Sequence, residues 1–189
     1  MKDAKRKIII AITGASGSVY ALNLINSVIA YPDNYSEIAI VFSEAGKKVW
    51  DYELKKQGLL KKNPIKYYKY NDLFASIASG SANYDSMVVI PCTMGTLGKI
   101  ASGTSDNLII RAADVMLKER RKLILVTRES PLSLIHIENM KTITLAGGII
   151  MPASPTFYHF PESIQDLTLT VVERILDLLD LPGSIKRWE

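Results

Sequence analysis

The chain has 189 residues, 48% apolar and 22% charged, the composition of a globular domain able to bury one substantial core. Its formal net charge of +4 suits phosphorylated small molecules and is too small and dispersed for a nucleic-acid footprint. No apolar run reaches the roughly 20 residues of a membrane helix, and MKDAKRK leads into a strand with no small-residue cleavage site. A soluble, cytoplasmic protein with no membrane and no nucleic-acid partner is expected. The single Cys92 excludes an internal disulfide, and with His136 and His159 it forms no recognised metal-ligand spacing, so no metal is expected.

Along the chain, apolar runs of strand length alternate with segments of helical period. A strand at Lys7 to Ile12 is followed by a helix from about Gly17 to Ala30, a strand at Glu37 to Phe42, a helix from Glu44 to Gln57, and an extended run at Ile65 to Tyr70. Then come a strand at Ser86 to Ile90, a long helical region from Asp106 to Glu119, a strand at Leu123 to Val126, a helix near Leu134 to Leu145, and a strand at Ile149 to Met151. The last helix spans about Ser163 to Leu179, with Ile164, Leu167, Val171, Ile175 and Leu178 as its apolar stripe. Ile8 to Ile12 and Met87 to Ile90 are apolar throughout, as in parallel strands covered on both faces. The pattern predicts an α/β, three-layer, doubly wound fold with a mostly parallel sheet. With no repeat, low-complexity tract or linker, residues 1–189 read as a single domain with a C-terminal tail over about 182–189. The stretch Pro152 to Pro161, containing FYHF, reads as a long loop of the kind that carries function.

In open α/β sheets, ligands sit beyond the carboxyl ends of the strands. The first strand runs into Thr13-Gly14-Ala15-Ser16-Gly17-Ser18 and a helix, where glycines permit a tight turn and the helix N-terminus offers N–H groups to a phosphate. The G-x-x-G spacing lacks the full dinucleotide fingerprint and the P-loop ending. A plain helix cap by Ser16 or Ser18 is the alternative. Ser43 and Glu44 end the second strand, and Glu44 keeps open a ribose-binding acid of dinucleotide type. Pro91-Cys92-Thr93-Met94-Gly95-Thr96-Leu97 reads as a second small, hydroxyl-rich turn, with Cys92 a buried apolar residue rather than a nucleophile. Arg111 and Lys118, seven apart on a helix, and Arg128-Glu129 at the exit of the next strand suggest an anion site. A solvated face, with Asp114 pairing to Lys118 at i,i+4, is the other reading. Two such loops with a strand-end arginine describe a mononucleotide cradle, and FMN, with one phosphate and a flat ring, fits it.

GASGSVY, PCTMGTL, RAADVMLKERRKLILVTRE, HIENM and PASPTFYH, in that order, resemble the UbiX-type flavin prenyltransferases over nearly the whole chain. The resemblance implies a Rossmann-like flavoprotein fold and reduced FMN as prenyl acceptor. It also implies dimethylallyl phosphate as donor and transfer of the dimethylallyl group to N5 and C6 of the flavin. The assembly would be a homo-oligomer, a dodecamer, whose product passes to a prenyl-FMN-dependent decarboxylase. FMN contacts would fall on Gly14, Ala15, Ser16, Ser43, Thr93, Met94, Gly95, Thr96 and Arg128. The prenyl-phosphate pocket would use Lys118, Tyr158 and Arg174 with Arg111, and Trp188 would match the C-terminal aromatic. Glu53 and Glu129 match the active-site carboxylates, and some residues would come from neighbouring subunits. Glu129 would protonate the departing oxygen and then act as a base, with its pKa set by burial against Arg128. Ser16 and Glu53 would move the proton lost from the flavin.

Each residue also has a plain structural reading. Glu53 follows Trp50 by three, as a solvated helix face does. Tyr158 packs with Phe157, Arg174 snorkels beside the last helix's stripe, Trp188 fills an interface, and His136 and His159 are structural. The sequence departs from the family at Thr93, where many members have Ser, and at Leu73, where some have Trp; the match weakens between about Gln57 and Phe74. Three rivals are set against this. A cysteine-type flavoprotein decarboxylase would need a histidine in an early helix, and none precedes His136. A non-catalytic FMN carrier would bind flavin without turnover. A direct aromatic-acid carboxylyase would need an acid pocket for which there are no extra residues.

Overall fold

The computed structural model describes residues 5–55 and 64–181. Six parallel strands form one sheet in the order β3-β2-β1-β4-β5-β6: β1 Arg6–Ile12, β2 Tyr35–Phe42, β3 Ile65–Tyr68, β4 Ser86–Cys92, β5 Lys122–Thr127 and β6 Ile149–Pro152. The described helices are α1 Ser18–Ile29, α2 Glu44–Glu53, α3 Met94–Ala101, α4 Leu108–Lys118, α5 Leu134–Leu145 and α6 Ile164–Leu178.

Alternate residues of each strand feed two separate cores, which is why these strands read as unbroken apolar runs. Ile8, Ile10 and Ile12 of β1 pack with Leu24 of α1, Trp50 of α2 and Val172 of α6. Ile9 and Ala11 point the other way, with Leu97 of α3, Ala112 and Met116 of α4, and Ile143 of α5. The sheet therefore carries α1, α2 and α6 on one face and α3, α4 and α5 on the other, the doubly wound arrangement expected. The strand order reverses between β1 and β4, opening a crevice at their carboxyl ends.

Three expectations are corrected. The segment taken as a hydroxyl-rich turn is helix α3, capped by Thr93, whose Oγ1 accepts from the Thr96 N–H; Met94, Leu97 and Ile100 form its buried side. The helix expected from Glu44 to Gln57 ends at Glu53, with Leu54 as its cap, and Gln57 lies outside the described residues. The stripe of α6 holds at Val171 and Ile175, which are buried, with Leu178 packed against the same core; it fails at its first position, where Ile164 is 77% exposed and Thr168 is buried instead. A polar contact accompanies that change at the start of α6: Asn23 of α1 donates to Thr168 Oγ1 at 2.9 Å and accepts from Gln165 at 3.0 Å.

Helix α5 is the anomaly of the fold. Only Ile143 is buried, whereas Leu134 and Ile135 are each 72% exposed and Leu145 is 79% exposed. Exposed apolar side chains at that density are characteristic of interaction surfaces. No helix among the described residues is long and apolar enough to cross a membrane.

Candidate functional site

The crevice at the strand-order reversal is a cleft of about 390 Å³, lined by the ends of β1, β2 and β4 and the starts of α2, α3 and α4. Thr13 ties its two halves together. Buried at the end of β1, its hydroxyl donates to the Pro91 carbonyl at 2.7 Å and accepts from the Thr93 N–H at 2.9 Å. Gly14 lets α2 approach, since a Cβ there would lie 2.6 Å from the Ala45 Cβ. Gly46 does the same in the first turn of α2, where a Cβ would meet the Ile12 carbonyl oxygen at 2.3 Å.

Three helices begin at this cleft, each with its own side-chain cap. Ser43 Oγ accepts from Gly46 N–H at 2.9 Å, Thr93 Oγ1 from Thr96 N–H at 3.2 Å, and Asn107 Oδ1 from Ile110 N–H at 3.1 Å. The remaining first-turn N–H groups and the aligned dipoles make the cleft favourable to an anion.

Helix α1 is different, and it corrects the reading of the first loop. Its N-terminus is already occupied by a carboxylate of the protein: Glu53 accepts from Gly17 N–H at 3.0 and 3.1 Å and from Ser18 N–H at 2.7 Å. Glu53 is thus no solvated face residue but the anion that closes the Gly14 to Ser18 turn. Partial burial pushes its carboxyl up, but bonds from the Ser16 hydroxyl and from the Ser18 and Gly17 amides outweigh it and hold the group below the usual carboxylate range. A ligand phosphate is left the N-termini of α2, α3 and α4.

The expected flavin contacts Gly14, Ser43, Thr93, Gly95 and Thr96 all line this one cleft, while Ala15 and Ser16 continue the loop from Gly14. Met94 is turned into the core instead, contributing only its backbone at the start of α3. Arg128, exposed just beyond β5, lies near enough to Tyr20 to counter part of the rise that burial gives that phenol. A flavin nucleotide fits this rim. A Cβ on Gly95 would meet nothing within 4 Å, so the first turn of α3 leaves an open shelf beside N–H donors. Sequence reasoning missed Thr13 as the tie between strands, and also Tyr70, Lys99 and Asn107, which line the cleft. Asn107 carried a signal, an N-capping residue before an apolar run; Lys99 carried none.

The expected prenyl-phosphate residues are not brought together within one chain. Lys118 ends α4 at the opposite rim, where β5 begins, and pairs with Glu119. It is separated from the cleft by the six-residue length of β5, roughly 20 Å. Arg174 lies on α6, across the sheet from α4, and pairs with Asp177 at 3.0 Å. Arg111 is half-buried, with Nε donating to the Ala78 carbonyl at 3.1 Å and an ion pair to Asp114 at 2.7 Å, so Asp114 is Arg111's partner and no Lys118–Asp114 pair forms. Tyr158 is half-exposed and packs on His159, ring centroids 4.2 Å apart. Glu129 is exposed, and its Oε1 accepts from Ser130 N–H; burial against Arg128 is not present in the single chain. Trp188 lies outside the described residues. Cys92 is fully buried, with its thiol pushed up to about 12 by desolvation, as befits a core residue. His136 closes a capping box with Ser133 at the start of α5.

The Flavoprotein family model matches residues 1–180. The flavin prenyltransferase UbiX of Methanocaldococcus jannaschii is 44% identical over 184 residues, spanning 96% of this chain and 98% of that protein. This chain belongs to the UbiX flavin prenyltransferases. Solved structures agree with that membership. A UbiX crystallised in complex with FMN and dimethylallyl pyrophosphate superposes with a TM-score of 0.87 at 38% identity, covering 98% of this chain and all of that one. A dodecameric FMN-dependent UbiX-like decarboxylase from Escherichia coli O157:H7 superposes with a TM-score of 0.88 at 39% identity, covering 97% and 98%.

Proposed function

We propose that this prenyltransferase binds reduced FMN in the β1/β4 cleft and transfers the dimethylallyl group of dimethylallyl phosphate to N5 and C6 of the flavin. The observation that carries the reading is the cleft itself. Three capped helix N-termini converge on the open Gly95 shelf at the sheet's switch point, in a chain 44% identical to a flavin prenyltransferase.

The flavin supplies the nucleophilic N5 and the C6 at which the ring closes; the protein supplies charge, order and protons. Breaking the allylic C–O bond builds negative charge on the leaving phosphate, and fixed cations in a water-poor site stabilise it strongly. Lys118, Arg174 and Tyr158, together with Arg111, are the groups for that phosphate in place of a metal. They lie on different faces and rims of one chain, so the pocket forms where copies meet. The exposed α5 and the exposed Phe157, Phe160 and Ile164 are the surfaces available for that contact, consistent with a dodecamer. Glu129, exposed in one chain, becomes buried there, protonates the departing oxygen and then serves as base. As a proton leaves the flavin, Ser16 Oγ would take it while giving its own hydroxyl proton to Glu53, whose depressed pKa then favours release of that proton to solvent. Trp188 would close the pocket from the tail. Residues 1–189 act as one domain, and the recipient of prenylated FMN is a decarboxylase in the same cytoplasm.

Anaerobic incubation with reduced FMN and dimethylallyl monophosphate, followed by mass analysis of the released flavin, tests this. A gain of one isoprene unit is expected. Bound flavin of unchanged mass would point to a non-catalytic carrier.

A further inference from the structure

Of the described residues that line the cleft, only Glu44 and Lys99 carry charge. Glu44 is exposed in the first turn of α2, where it complements that helix's dipole but opposes an incoming phosphate. Lys99 lies on the second turn of α3, and its ammonium is held by Asp106 Oδ2 at 2.5 Å. Asp106 keeps a second partner, because its Oδ1 accepts from Asn107 Nδ2 at 2.7 Å. Asn107 in turn caps α4 through Ile110. The pair is about half-exposed, with side-chain accessibilities of 47% and 46%, so the bond from Lys99 to Asp106 is weakly held and exchangeable. Breaking it strands neither group, since Asp106 retains Asn107 and solvent.

We propose that Lys99 is the phosphate-selecting side chain of the flavin cleft, exchanging Asp106 for the ligand's phosphate and so discriminating FMN from unphosphorylated riboflavin. This rests on the flavin reading above and adds to it a cation that the family motifs quoted for this chain do not contain. A lysine suits the task. Its flexible stem carries a point charge that can swing between two anions, and phosphate needs no planar fork. Helix N-termini contribute only partial charges, about half a unit each. Without Lys99 the cleft's side chains would present Glu44 alone to a phosphate. The bond to Asp106 raises the lysine's pKa, so the ammonium remains charged.

A purely structural role, tying α3 to the start of α4, predicts something different: loss of Lys99 would alter stability and leave ligand preference alone. Flavin fluorescence titrations of the oxidised ligands separate the two, using wild type, Lys99→Met, Lys99→Arg and Asp106→Asn at low salt and at about 0.5 M salt. Wild type should bind FMN more tightly than riboflavin, with the gap shrinking in salt. Lys99→Met should weaken FMN roughly ten-fold, the effect of losing one half-exposed charged hydrogen bond, and leave riboflavin unchanged. Lys99→Arg should recover most of the preference, and Asp106→Asn should tighten FMN by freeing the ammonium. If Lys99→Met shifts both ligands equally, or neither, Lys99 does not select phosphate. If wild type binds neither flavin, the reading of the cleft itself fails, a result distinct from bound FMN that ignores Lys99.

Discussion

Replacing Glu53 by Gln removes the charge that closes the α1 N-terminus while keeping the shape of the side chain. In wild type both carboxylate oxygens accept from backbone, Gly17 N–H at 3.0 and 3.1 Å and Ser18 N–H at 2.7 Å. Hydrogen bonds to a charged group contribute about 1.5–3 kcal/mol each, and a carboxylate at a helix N-terminus about 0.3–1 kcal/mol more. Glutamine keeps one carbonyl acceptor and turns an NH2 group toward donors, and the half-buried site favours the low end. The expected cost is about 2 kcal/mol, or about 4–8 °C in Tm for a chain of this size. The effect also has a pH signature. The folded Glu53 carboxyl sits below its ordinary value of 4.5, so its stabilising contribution is complete above that pH and lost as pH falls through the folded value. Thermal denaturation of both proteins should therefore show a gap at pH 7 that closes on acidification below 4.5. An unchanged Tm at pH 7, or a gap that persists in acid, would refute the assignment of Glu53 as the anion of this turn.

Thr13→Val keeps the volume but leaves the Pro91 carbonyl and the Thr93 N–H unpaired in a buried site. It should cost about 2 kcal/mol in denaturant unfolding; an unshifted midpoint would count against the tie between β1 and β4. Gly95→Leu should keep or raise stability, since leucine is the better helix former by up to about 1 kcal/mol. The same change should abolish FMN binding by filling the open shelf; undiminished FMN quenching would place the flavin elsewhere. Leu134→Lys combined with Ile135→Lys should reduce the assembly's mass in light scattering, and an intact assembly would show that α5 is not an interface.

The fold was legible where burial leaves a direct imprint on residue type. Ile8 to Ile12 and Met87 to Ile90 are apolar at every position because helices cover both faces, and α5 has the bounds its spacing predicts, Leu134–Leu145. Helix α3 was obscured by Gly95 and Gly98, which resemble turn residues until the Thr93 cap and the Leu97–Ile100 spacing are set beside them. At the start of α6 the inward residue is Thr168, bonded to Asn23 145 positions earlier, a contact no periodicity contains. The same holds at the site. Gly14, Ser43, Thr93 and Thr96 could be placed because strand-end loops of a parallel sheet share one rim. Glu53 looked like surface because its partners, Gly17 and Ser18, stand 36 and 35 positions away. Lys118 was read beside Arg128 because both flank β5, yet a strand's two ends lie on opposite rims.

That separation gives the sharpest test of a transfer site assembled between copies. Lys118→Ala and Glu129→Gln subunits, each inactive alone, should be unfolded, mixed and reassembled, and prenylated flavin measured by mass. Recovery of activity in the mixture is predicted, because some sites then combine an intact Lys118 from one copy with an intact Glu129 from another. A mixture as inactive as its parents would contradict a site shared between subunits.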